Sequence, residues 1–225
     1  MTMDVEKSWA PNPDITPEEL EEMRKVVVDN IITARVKLLL RYPWFGNMAT
    51  RLKIKAADEW CPTAATDGRH LYYNTQFFFK MDIDETIFVI AHEILHCVFD
   101  HMERRDDRDP YIYNISADYK VNNTLVRERT GKMPHFVNAF QDFKYENWTS
   151  EEIYDELHQK AKENGRELLE QLGELLDEHI DWEDEGAGSA GDGKGGKDKK
   201  SGPPKYSKEE LQKIKDEIKE SMIQA

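Results

Sequence analysis

Val89-Ile90-Ala91-His92-Glu93-Ile94-Leu95-His96-Cys97-Val98-Phe99 places one His-Glu-x-x-His inside an otherwise apolar run. From Ile87 to Phe99 the ionisable groups expected to be charged or metal-bound are His92, Glu93 and His96. Burying such groups without compensation costs on the order of several kcal/mol. On a helix, residues four apart differ by about 40° in direction, so His92 and His96 project from one face, one turn apart. Two imidazoles at that spacing can share one Zn²⁺ ion. Glu93, about 100° further round, is placed to reach a water on that ion rather than the ion itself. Its apolar neighbours raise a carboxyl pKa toward the range of a general base working near neutrality. The competing reading is a core helix with locally satisfied histidines; the apolar residues at both x positions and both flanks favour the metal.

A catalytic zinc site takes a third protein ligand and keeps one position open for water. His101 is the nearest candidate, but on a continuing helix it lies about 180° from His92 and about 140° from His96. No glycine between His96 and His101 breaks the helix to bring it back. The following segment offers Asp118. With Tyr111 as origin, Ile115, Tyr119, Val121, Leu125 and Val126 form one apolar arc, Lys120 and Arg127 lie opposite, and Asp118 and Asn122 fall near the centre of the arc. A polar pair one turn apart on a buried face needs partners. Asp118 as third ligand, with Asn122 steadying a histidine or the loop beside it, supplies them. His101 is the alternative third ligand, and pairing of Asp118 with Arg104 or Arg105 is the structural one. Tyr119 and His135 are weak candidates for stabilising an oxyanion.

Working outward, residues 1–15 are polar and proline-containing and are expected to be flexible. Thr16-Pro17-Glu18-Glu19 reads as a capping box with proline at the first helical position. Leu20, Met23, Val27, Ile31, Ala34 and Leu38 then recur at helical spacing as far as Pro43. Over roughly 50–74 the period shortens, predicting a small, mostly antiparallel sheet. Its edge could hold an extended peptide or simply cover the core. Asp82 with Glu85 starts the helix of the histidines, expected to run to about Arg104, and Asp109-Pro110 opens another reaching about Arg129. The aromatic loop from Gly131 to Trp148 reads as core cover or as the lining of a groove. Thr149-Ser150-Glu151-Glu152 starts a helix reaching about Lys162, and a further helix is expected from Arg166 to about His179. The domain reading is therefore 1–15 flexible, 16–182 one folded unit, 183–205 a Gly/Lys/Asp-rich linker and 206–225 a terminal amphipathic helix, free to dock or to await a partner.

The chain has 225 residues, two cysteines and a net charge of −14. The charge argues against a nucleic-acid or anionic-membrane partner. The sparse cysteines suit a reducing, cytoplasmic setting. Neither a signal peptide nor an apolar run of about 20 residues is visible.

Thr63-Ala64-Ala65-Thr66-Asp67-Gly68-Arg69 with Tyr72-Tyr73-Asn74, the Ala91-His92-Glu93-Ile94-Leu95-His96-Cys97 run, His101 with Arg104-Arg105, and Asn114-Ile115-Ser116-Ala117-Asp118-Tyr119-Lys120-Val121-Asn122 together resemble a family of predicted metal-dependent peptidases of bacteria and their viruses. The likeness extends through Tyr145 and Ser150 to Leu157. It implies an α+β, zincin-like domain with His92, His96 and an acidic residue matching Asp118 as ligands of one Zn²⁺, and Glu93 as base. Family members commonly continue into a von Willebrand factor A-like domain, and some work alongside AAA-class ATPases. No Asp-x-Ser-x-Ser signature of that second domain occurs here, which implies a short form or an N-terminal portion. The expectation is a zinc peptidase acting on protein or peptide; the alternatives are a non-catalytic scaffold of the same fold or a zinc hydrolase with another substrate.

Overall fold

The structure, a computed structural model, describes residues 10–165, 169, 171–175 and 202–225. Thr16 caps α1 (Pro17–Arg41) in a complete capping box with Glu19, and Val27, Ile31, Ala34 and Leu38 form its buried stripe. Pro43 cannot continue α1 and instead opens α2 (Pro43–Arg51). Three short strands follow: β1 (Lys53–Ala56), β2 (Ala64–Thr66) and β3 (His70–Tyr73). After α3 (Thr75–Phe79) come α4 (Ile83–Val98), α5 (His101–Arg104), α6 (Pro110–Glu128), α7 (Ser150–Asn164) and α8 (Lys208–Gln224). The architecture is α+β and mostly helical. Among the described residues, no helix is long and apolar enough to cross a membrane.

The sheet is mixed, not mostly antiparallel. Its order is β1-β3-β2, with β1 parallel to β3 and β2 antiparallel to β3. The cause is the long connection at 57–63, which carries the chain past the place of β3 to its far side. It is pinned there by Asn74 N–H to the Thr63 carbonyl at 2.9 Å and Asn74 Nδ2 to the Cys61 carbonyl at 3.0 Å. The tight β2–β3 turn uses Gly68 at φ 82, a conformation that side chains other than glycine's resist. The edge strand that packs on α4 is β2, buried at all three residues, whereas exposure falls on β1.

Two main cores result. The larger joins α1, α2, the sheet and α4 to α8; the smaller joins Ile112, Tyr113, Ile115 and Tyr119 of α6 to Phe140, Tyr145 and α7. Helix α6 contributes to both, because Val121 and Leu125 belong to the first. The aromatic loop is mainly core: Phe140 and Tyr145 are buried, while Phe143 is exposed. Helix α8 docks on the body rather than standing apart. Ile214 and Ile218 are buried over Gly68, and Glu217 accepts two hydrogen bonds from Arg69 at 2.6 Å.

The helix expected over 166–179 is not continuous, since 171–172 form a turn and Glu174 bridges to Ala139. Gly173 lies against the Asn138 carbonyl, where a Cβ would come within 2.9 Å of the oxygen. The rest of that span, most of the linker at 183–205, and residues 1–9 lie outside the described residues.

Candidate metal centre

Helix α4 begins at Asp82, whose carboxylate accepts from Glu85 N–H while Glu85 reaches back to the Asp82 N–H. Glu85 is buried and is also bonded by His135 and Lys132. From Glu85 to Cys97 every residue of the helix is buried, so His92, Glu93 and His96 have protein, not water, on all sides. Helix α6 starts at Asp109, which accepts from Ile112 N–H, and brings Asp118 and Asn122 against α4.

The donor atoms converge. His92 Nε2 and His96 Nε2 are 3.0 Å apart, and Asp118 Oδ1 stands 3.6 Å from the first and 3.5 Å from the second. Ligand atoms bound tetrahedrally to one Zn²⁺ at roughly 2.0–2.2 Å are separated by roughly 3.3–3.6 Å; the two spacings to Asp118 match a shared ion, and the two imidazole nitrogens stand somewhat closer than that and would open slightly around it.

The hydrogen bonds behind the histidines fix which ring nitrogens carry lone pairs. Asn122 Nδ2 donates to the Phe140 carbonyl at 2.9 Å, which orients the amide so that Oδ1 faces His92 Nδ1 at 2.9 Å. A carbonyl oxygen only accepts, so His92 Nδ1 bears the proton and Nε2 presents a lone pair to the cluster. Asp118 and Glu93 also place two carboxyl groups at zero exposure. That is the negative charge one divalent cation neutralises, and buried charge is tolerated only where it is compensated. His92, His96 and Asp118 are the group of donors close enough to hold an ion together among the described residues.

His101 is not where an unbroken helix would put it. Helix α4 stops at Val98, and Asp100 takes the left-handed conformation at φ 55, ψ 39 without being glycine. The chain turns there, and His101 folds back until its Nδ1 is 3.1 Å from His96 Nδ1, on the side of the ring away from the cluster. It is buried, and its Nε2 meets Ser150 Oγ at 2.9 Å. His101 therefore stands behind a donor, not among the donors. No glycine announces the break, and Ser150 reads in sequence only as part of a helix start.

Neither oxyanion candidate lies with the cluster. The Tyr119 ring packs between Phe140 and Tyr145 in the smaller core, where burial pushes its pKa up. His135 pairs with Glu85, eight residues before Glu93 on α4, or roughly 12 Å along the axis.

Residues 29–225 match the model of a family described as "Putative metallopeptidase domain". No curated protein and no solved structure matches the chain.

Proposed function

The chain belongs to this metallopeptidase-domain family, and from that membership we propose that it is a zinc-dependent peptidase of zincin-like fold acting on protein or peptide chains. The observation that carries the reading is the convergence of His92 Nε2, His96 Nε2 and Asp118 Oδ1 within 3.6 Å of one another. Those three residues would hold the ion, and two imidazoles with one carboxylate suit zinc. Bound there, zinc supplies a Lewis acid and makes a water acidic enough to react near neutral pH.

Glu93, one residue past His92 and buried beside it, takes the proton of the attacking water on its carboxylate and passes it to the departing amine nitrogen. Asn122 holds the His92 ring with its lone pair toward the cluster, and the Phe140 carbonyl holds Asn122. The apolar helix around Glu93 keeps bulk water away from the carboxylate.

A second reading is favoured by one observation. His92, Glu93, His96 and Asp118 are all between 0% and 2% exposed, and a substrate carbonyl meets them only if covering chain gives way. A site closed this tightly also suits a non-catalytic metal strut.

Two measurements separate the readings. Elemental analysis of the purified protein is expected to give one zinc per chain; iron, which the same donor types accept, or no metal overturns the assignment. A peptide-library digest is then run with wild type and Glu93→Gln. Cleavage by wild type that disappears in the variant, with zinc retained, supports the peptidase; stoichiometric zinc with no cleavage by wild type establishes the strut.

A further inference from the structure

We infer that His101 and Ser150 form a buried positioning relay that fixes the tautomer and orientation of His96, the counterpart of the Asn122 clamp on His92. The inference rests on the metal reading above.

A relay of this kind needs each member to have one possible role. His96 Nε2 faces His92 Nε2 at 3.0 Å and Asp118 Oδ1 at 3.5 Å, so as a ligand it presents its lone pair there and carries its proton on Nδ1. His101 Nδ1, 3.1 Å from that proton's nitrogen, must accept, which places the proton of His101 on Nε2. That nitrogen lies 2.9 Å from Ser150 Oγ, whose hydroxyl can accept. Every member is buried: His96 is 2%, His101 1% and Ser150 1% exposed. Water is thus kept from substituting for either hydrogen bond, and in such surroundings an ill-oriented polar group is expensive.

The local fold is spent on holding the relay. The left-handed Asp100 ends α4 where the turn returns His101 to His96, a conformation that few residues other than glycine adopt. Phe99 and Tyr113 pack on the His101 ring. Glu103 of the same short helix is held by Lys215 of α8 at 2.8 Å. Ser150 stands at the first position of α7, whose capping is done by Thr149, so its hydroxyl is not needed to start the helix. The relay therefore ties α4, α5 and α7 to one ligand ring.

The test compares zinc affinity by chelator competition in wild type, His101→Phe, His101→Asn and Ser150→Ala, with thermal unfolding of each metal-free protein beside it. Asparagine can place a carbonyl oxygen near the position of Nδ1 and accept from His96; phenylalanine fills the space and cannot. His101→Phe is expected to weaken zinc binding about 10- to 100-fold, His101→Asn to restore most of it, and Ser150→Ala to weaken it by a smaller factor. In zinc-loaded wild type, ¹⁵N shifts should report His101 protonated on Nε2.

Equal affinity across the set, or His101→Asn as weak as His101→Phe, overturns the relay while leaving the metal reading intact. Failure of wild type itself to bind zinc overturns both.

Discussion

Replacing Asn122 with alanine removes the group that joins two buried partners, so its cost can be worked from the structure before any metal is considered. His92 Nδ1–H loses its acceptor at 2.9 Å, and the Phe140 carbonyl loses its donor at 2.9 Å. Asn122 is 0% exposed and Phe140 1%. A buried polar group left unsatisfied costs about 1–3 kcal/mol, so two together give about 2–6 kcal/mol, toward the lower end if a water enters the space left by the amide. The assay is urea unfolding of the metal-free protein in excess chelator, comparing wild type with Asn122→Ala. Zinc affinity should fall as well, by about 10- to 100-fold, because the imidazole is no longer held in one tautomer. Asn122→Asp is the sharper control, since it can still accept from His92 but turns an oxygen toward the Phe140 carbonyl, and it should remain destabilised. A loss below about 0.5 kcal/mol for Asn122→Ala, well under the cost of even one unsatisfied group, refutes the clamp.

Two other perturbations probe the scaffold. Gly68→Val should loosen α8, because a Cβ there comes within 2.6 Å of Ile218 Cδ1 and 2.9 Å of Ile214 Cγ2 at a φ of 82; faster hydrogen exchange confined mainly to 208–224 is the expected readout, and unchanged protection of that helix would count against the docking. Glu156 gives a pH signature: burial alone would raise its pKa, but hydrogen bonds from Lys144, Lys160 and Tyr145 outweigh burial and hold it at about 2. Its folded pKa lies below its unfolded one, so the stability it contributes is present above about pH 4.5 and is lost as pH falls toward 2. Glu156→Gln should cost roughly 1–3 kcal/mol at pH 7, discounted for partial exposure, and the gap in urea midpoints should close by about pH 2; a gap independent of pH would show that the carboxylate's charge is not what matters.

Helix starts were legible because their chemistry is local. The pairs Thr16 with Glu19, Asp82 with Glu85 and Thr149 with Glu152 all form complete capping boxes, and each depends on residues three apart. Ser207 with Glu210 forms another at the start of α8, a signal of the same kind that the stripe of Leu211, Ile214 and Ile218 overshadowed. The sheet was less legible because strand pairing is set by the path of the connection. Alternation in Leu52, Ile54 and Ala56 shows a strand, but not that the 57–63 segment carries the chain to the far side of β3 and makes β1 its parallel neighbour. Docking of α8 was undecided for a similar reason: its receptor, the turn at Gly68 with Arg69, lies about 150 residues away in sequence, a separation no local pattern spans.

The centre itself divides along the same line. Asp118 and Asn122 could be found from periodicity because a carboxylate and an amide in the middle of an apolar arc demand partners, and that demand is written in one helix. The place of His101 could not be found the same way, because helical periodicity holds only while the helix continues and the break falls at Asp100, with no glycine to mark it. Aspartate is among the residues that visit the left-handed conformation most readily after glycine, and here Asp100 does so with its carboxyl beside Glu103 and Lys215. Burial and the Glu103 hydrogen bond raise the Asp100 pKa, partly offset by Lys215 and Lys219, so the turn that carries His101 is held from α8, more than 100 residues further along the chain. The consequence reaches back to the quoted stretch. His92 takes its tautomer from a helix that follows it closely, whereas the His96 ring rests on a turn held from α8, so the two histidines of one motif depend on different parts of the fold.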